Sequence, residues 1–317
     1  MMTEHDLPRS GPARLTSIDR SPVRLALFAG GLVLALVAGI GVGQLFGSSG
    51  DAAGTTGPMG QAGHAHGTSG SGHDHTGAAA AGGVGGLAVS AGGYTLVPAT
   101  TTFPAGKAST LRFRVDGPDR RPVTDFAIAH DKPLHLIVVR RDLTGYQHLH
   151  PTMGPDGTWS VSLTLPTPGS WRAYADFTAV GASGAQTPVT LGVDLAVAGD
   201  YRTVPLPAAA RESTVDGLAA TYEGTPQVGA SAPLVFRVHA QDGSPLTDLE
   251  RYLGSYGHLV VLREGDLGYV HVHPEPDLLG GAVKFWLAAP SPGSYRMFFD
   301  FQRGARVHTA EYTLVVT

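Results

Sequence analysis

Histidine is the side chain in this sequence whose number and spacing point to chemistry. There are 14 in 317 residues, nine of them between positions 130 and 308 and four within 64–75, and there is no cysteine. Without cysteine there is no disulfide framework, thiolate metal site, Cys nucleophile or lipidated Cys anchor. Clustered neutral imidazoles suit Cu(II), Zn(II) or Ni(II) rather than Cu(I), which prefers sulfur.

Six of these histidines occur as matched pairs in an internal duplication. A shift of 123 residues lays Leu111–Pro151 on Leu234–Pro274 without a gap, with 17 of 41 positions identical. The pairs are His135 with His258, His148 with His271, and His150 with His273; His130, His239 and His308 are unmatched. Successive side chains of a strand point to opposite faces. His148 and His150 therefore share a face with Tyr146, and His271 and His273 share one with Tyr269.

HLIVVR and GYQHLH lie close enough in sequence to form a hairpin. A four-residue loop, Arg141–Thr144 or Glu264–Leu267, places Arg140 opposite Gly145 and Arg263 opposite Gly268. His135 then faces His150, His258 faces His273, and three imidazoles gather on one face of each repeat. A five-residue loop inverts the first histidine; survival of all three in both copies favours the shorter loop. The expectation is two metal sites, one per repeat: His135, His148 and His150, then His258, His271 and His273. Asp176 and Asp300, in matched positions, supply either a fourth ligand or an acceptor that fixes a histidine tautomer, and His308 adds to the second site. The competing reading makes His-x-His-Pro a hydrogen-bonded strand corner and the aspartates turn caps. Trp171, Tyr295 and the PGS turns read as packing and turn residues.

The elements that must carry these residues are strands. Short β-branched and aromatic runs broken by Gly, Pro and Asp, with no helical period, predict antiparallel sandwiches of immunoglobulin-like type. A cupredoxin-like sandwich is the neighbouring fold, but a blue-copper site is excluded for want of its Cys. The repeats are placed at 86–198 and 213–317, joined by a linker at 199–212. Residues 25–47 contain no charge and are long enough to cross a bilayer. Arg9, Arg14, Arg20 and Arg24 precede them, and no Lys or Arg follows until Lys107. The positive-inside rule then puts residues 1–24 in the cytoplasm and the rest outside a cell membrane crossed once; a cleaved signal peptide is the rival. Residues 48–85 read as a disordered Gly/Ala tether. In it His64, His66, His73 and His75 form two His-x-His pairs suited to loose metal capture.

The His-x-His-Pro and Pro-Gly-Ser-aromatic-Arg elements, in particular HLVVLREGDLGYVHVHPE and its first-copy counterpart, resemble a family of secreted or membrane-anchored bacterial proteins. That family often occurs with copper and heavy-metal handling systems. The resemblance covers 86–317 and implies an extracytoplasmic sandwich with a metal role. The net charge of −4 disfavours a nucleic-acid partner. No hydrolase elbow, His-Glu-x-x-His or phosphate loop marks an enzyme. The expectation is a membrane-tethered binding protein for a divalent transition metal, Cu(II) ahead of Zn(II), serving buffering, delivery or resistance. Its partners would be membrane lipid through the anchor and a metal transporter or envelope protein. The alternative is a structural or protein-interaction module of the cell envelope that needs no metal.

Overall fold

Period-two alternation sets most of the strands. In Ala108–Asp116, Leu111, Phe113 and Val115 are buried while Arg112 and Arg114 between them are exposed, as a half-buried strand requires. A computed structural model describes residues 83–317, which all belong to one compact unit. The proposed cytoplasmic tail, the 25–47 span, the tether up to residue 82, and His64, His66, His73 and His75 lie outside the described residues. Among the described residues no helix is long and apolar enough to cross a membrane.

The first repeat comprises β1 (Ser90–Ala91), β2 (Tyr94–Pro98), β3 (Thr102–Phe103), β4 (Ala108–Asp116), β5 (Leu134–Arg140), β6 (Gln147–Leu149), β7 (Thr152–Met153), β8 (Trp159–Thr164), β9 (Gly169–Val180) and β10 (Gln186–Val197). The second comprises β11 (Glu212–Val215), β12 (Leu218–Glu223), β13 (Ala232–His239), β14 (His258–Arg263), β15 (Tyr269–Val270), β16 (Val272–Pro274), β17 (Val283–Leu287), β18 (Gly293–Arg303) and β19 (Arg306–Val316). The sheet orders are β1-β2-β4-β8-β7 over β3-β10-β9-β5-β6, and β11-β12-β13-β17-β16 over β15-β14-β18-β19. In each repeat one sheet has the A-B-E-D order and the other the G-F-C-C′ order of an immunoglobulin-like sandwich. Within the named strands the pairing is antiparallel throughout except β3 with β10.

Each sandwich has its own core, built around Trp159, Trp171 and Phe113 in the first and Phe236, Phe285 and Phe299 in the second. A third buried cluster lies between the repeats. It joins Ile137, Val139, Leu143 and Tyr174 of the first to Val260, Leu262, Leu267, Tyr269 and Phe298 of the second. This explains β5, in which all seven residues are buried: Leu134, Leu136 and Val138 enter the sandwich core, and Ile137 and Val139 enter the inter-repeat cluster. Tyr146 stacks on Phe298 with ring centroids 4.0 Å apart, and the Tyr174 hydroxyl donates to the Leu267 carbonyl at 2.6 Å.

Segments read from sequence as tether and linker take part in this packing. Gly85 exchanges backbone hydrogen bonds of 2.8 and 3.0 Å with Tyr269 of the second repeat, so the tether's last residue is held in place rather than disordered. From the linker, the Val204 amide donates to Asp142 at 2.8 Å and Leu206 packs on the inter-repeat cluster.

Candidate metal centre

The β5–β6 hairpin has the register of a four-residue loop, with Ile137 opposite His148 and Leu136 opposite Leu149. Gly145 closes the loop with φ +69°, and a Cβ there would lie 2.5 Å from the Trp171 ring, so the turn needs glycine. The register brings His135, His148 and His150 together, with one potential ligand nitrogen from each mutually within 4.8 Å. Ring centroids are separated by 5.3 Å (His135–His148), 5.1 Å (His135–His150) and 4.9 Å (His148–His150).

The surrounding hydrogen bonds set the tautomers. His135 Nε2 lies 3.1 Å from the Ala129 carbonyl, which only accepts, so Nε2 carries the hydrogen. His148 Nδ1 lies 2.9 Å from Asp300 Oδ2 and donates to that carboxylate. The remaining nitrogens, His135 Nδ1 and His148 Nε2, face each other at 3.0 Å. If both rings are neutral, both of these atoms are lone-pair acceptors. Something positive must lie between them, a proton or a metal ion. His150 Nε2 is buried and makes no hydrogen bond to the described residues, which adds a third nitrogen with an unmet need.

The electrostatics disfavour charge on His135, His150 and His258. Burial, followed by His148, pushes His135 down to about 4. Burial, followed by His148 and His135, pushes His150 down to about 3. His258, buried and flanked by His130 and His148, is also held well below the usual imidazole range. Neutral imidazole is the form that binds metal.

Asp300, with 1% of its side chain exposed, accepts from His148, from the Tyr146 hydroxyl at 2.9 Å and from the Thr309 hydroxyl at 2.6 Å. It comes from the second repeat yet orients a histidine of the first. Burial and Asp300 raise the Tyr146 phenol well above its ordinary range, so Tyr146 acts as a neutral donor. Asp176 instead accepts from the Thr190 hydroxyl at 2.7 Å.

The second histidine trio does not assemble, and the expectation of one site per repeat is corrected here. β14 and β15 start in the same register, with Val261 opposite Val270 and Leu262 opposite Tyr269. The chain then leaves that sheet at His271, and β16 pairs with β17, setting His273 opposite Trp286. In the first repeat the crossing to the other sheet waits until Thr152, at β7. The earlier crossing leaves His273 exposed. His271 Nε2 donates to Thr190 Oγ1 at 2.9 Å, with Asp176 4.0 Å away. His308 lies apart from the cluster; its Nδ1 is 2.7 Å from Asp216 and its ring stacks on Phe301. His258 turns toward the first repeat's trio, with ring centroids 6.1 Å from His135 and 5.8 Å from His148.

His130 is the residue that duplication reasoning set aside. Its ring lies 5.0 Å from that of His258 and 6.0 Å from that of His135. The second copy has Leu253 at the equivalent place, so no matched pair drew attention to it. Its backbone φ of +50°, unusual for a non-glycine residue, is not legible in the sequence.

A family model described as Domain of unknown function (DUF8832) matches residues 89–195 and again 213–317. No curated protein is similar in sequence. Among solved structures, the FdeC adhesin of Escherichia coli is similar at 15% identity and TM-score 0.23, over 73% of this chain and 66% of that one. Invasin, a bacterial integrin-binding protein, is similar at 17% identity and TM-score 0.23, over 73% and 41%. A Salmonella alpha-2-macroglobulin mutant is similar at 15% identity and TM-score 0.26, over 74% and 15%. The chain spans no more than two-thirds of the length of these proteins, and TM-scores this low carry no argument about its role.

Proposed function

The chain belongs to the DUF8832 family through both of its repeats, and from that footing we propose that it binds a divalent transition metal. The ion would sit at His135, His148 and His150, one per chain. The observation that carries the reading is the 3.0 Å approach of His135 Nδ1 and His148 Nε2, whose partner nitrogens are both committed as donors. The unsatisfied His150 Nε2 beside them supports it. The donor set, all imidazole and without sulfur, suits Cu(II) and Zn(II). The metal-handling setting implied by the family resemblance puts Cu(II) first for testing. In the same proposal the chain is anchored through 25–47 and presents its repeats outside the cell membrane, for buffering, delivery or resistance. The tether histidines His64, His66, His73 and His75 feed the site, and a metal transporter or envelope protein is its counterpart.

A second reading is favoured by the Tyr146–Asp300–His148–His135 chain of hydrogen bonds. Here a shared proton replaces the metal, and the cluster is a polar clasp in an envelope interaction module. Calorimetric titration of the full chain in detergent, with His64, His66, His73 and His75 replaced by Ser, separates the two. Sub-micromolar binding of one Cu(II) or Zn(II), lost in His148→Ala, is expected from a metal site. Binding no stronger than that of scattered surface histidines sinks the metal reading and leaves the clasp.

A further inference from the structure

We infer that the metal centre is a joint one: His258 of the second repeat is its fourth ligand, and the ion it takes is one that prefers tetrahedral nitrogen ligation, Zn(II) above all. This rests on the metal reading and goes beyond it, because it makes the second repeat part of the coordination sphere and, on ring spacing, puts Zn(II) in place of Cu(II) as the preferred ion.

The spacing of the rings carries the inference. With Zn–N bonds of about 2.05 Å and a ring nitrogen about 1.15 Å from its ring centre, tetrahedral imidazoles have centroids about 5.2 Å apart. Square-planar ligation instead predicts about 4.5 Å for adjacent rings and about 6.4 Å for opposite ones. The three separations within the trio are 5.3, 5.1 and 4.9 Å. They are nearly equal, and all lie close to the tetrahedral value. One apex of the tetrahedron is left for a fourth ring. His258 is 5.8 Å from His148 and 6.1 Å from His135, about 0.6 and about 0.9 Å beyond the tetrahedral value, so it completes the set by moving toward the trio.

The bonding of His258 prepares it for that place. Its Nε2 donates to the Tyr252 carbonyl at 3.0 Å, just as His135 Nε2 donates to the Ala129 carbonyl at 3.1 Å. Residues 129 and 252 are equivalent under the 123-residue shift. Both rings thus have the same tautomer, with Nδ1 left to ligate and Nε2–H held by a backbone oxygen, an arrangement common among metal-bound histidines. His258 is buried, so it is already desolvated where the ion would sit. Asp300, its cross-strand partner on β18, holds His148 by its other nitrogen and acts as a positioning residue. An ion bound this way is gripped by both sandwiches.

The test uses the full chain in detergent with the four tether histidines replaced by Ser. Zinc-edge X-ray absorption on the loaded protein counts imidazole ligands without any site variant. Four are expected; three would overturn the joint site. In parallel, His258→Gln, which can keep a donor toward Tyr252, is expected to weaken Zn(II) at least about 10-fold and to alter the Co(II) ligand-field spectrum. Unchanged affinity and an unchanged spectrum in His258→Gln, with binding still lost in His148→Ala, would leave a three-histidine site within the first repeat and refute the joint one. Uptake of Cu(II) without Zn(II) or Co(II) would overturn the tetrahedral joint site alone, and if the parent chain takes up none of the three, the metal reading itself falls.

Discussion

His135 and His148 each spend one ring nitrogen on an oxygen that can only accept, and this leaves their other two nitrogens pointing at each other. The carboxylate of Asp300 is what commits His148. Asp300→Asn keeps the shape but offers a weaker acceptor, and metal affinity should fall about 10- to 100-fold, as read by competition titration. His135 and His150 make stability depend on pH. His135 and His150 titrate lower in the fold, at about 4 and about 3, than in the unfolded chain, near 6.5. The unfolded state therefore binds more protons below pH 6.5, and stability present above that pH is lost as pH falls toward 4 and 3. His135 alone should cost about 2 kcal/mol between pH 7 and pH 5. Melting curves of the metal-free chain across that window would show it, and a flat midpoint would mean the rings are solvated.

Among the elements, β5 departs most from a free-standing sandwich. An outer strand face of an isolated domain would be polar, yet Ile137 and Val139 are fully buried against the second repeat. Ile137→Ala should therefore cost about 2–4 kcal/mol, whereas an exposed position on this strand would cost under about 0.5 kcal/mol. Chemical denaturation distinguishes the two. Sequence left the β5–β6 hairpin with a four- or a five-residue loop, of which only the four-residue one keeps the three histidines on one face, and the structure takes that one. The departure of β16 was not legible in sequence. Its chain reads GYVHVHP against GYQHLHP, and nothing in those letters reveals that it crosses to the other sheet three residues sooner.

For the whole molecule, the two sandwiches share a buried apolar interface, and Asp300 crosses it to reach His148. Thermal unfolding should then be a single cooperative transition by calorimetry. Leu262→Asp, which puts a charge into the inter-repeat cluster without touching either sandwich core, should split it in two or broaden it markedly. Survival of one sharp transition would mean that the interface contributes little. If the joint site holds, saturating Zn(II) should raise the midpoint of the intact chain and narrow that split in the variant.

Strand period and the 123-residue duplication are local facts. They depend on residue type, on spacing and on the alternation of a pleated chain, so the sequence by itself determined them. Whether a matched histidine reaches its partners depends on where a strand changes sheet and on which face meets the other repeat. The first is set by pairing of β16 with β17, the second by packing between residues more than a hundred positions apart. Tertiary structure alone therefore joined Asp300 to His148, brought His258 to the first repeat's cluster, and sent His271 and His273 elsewhere.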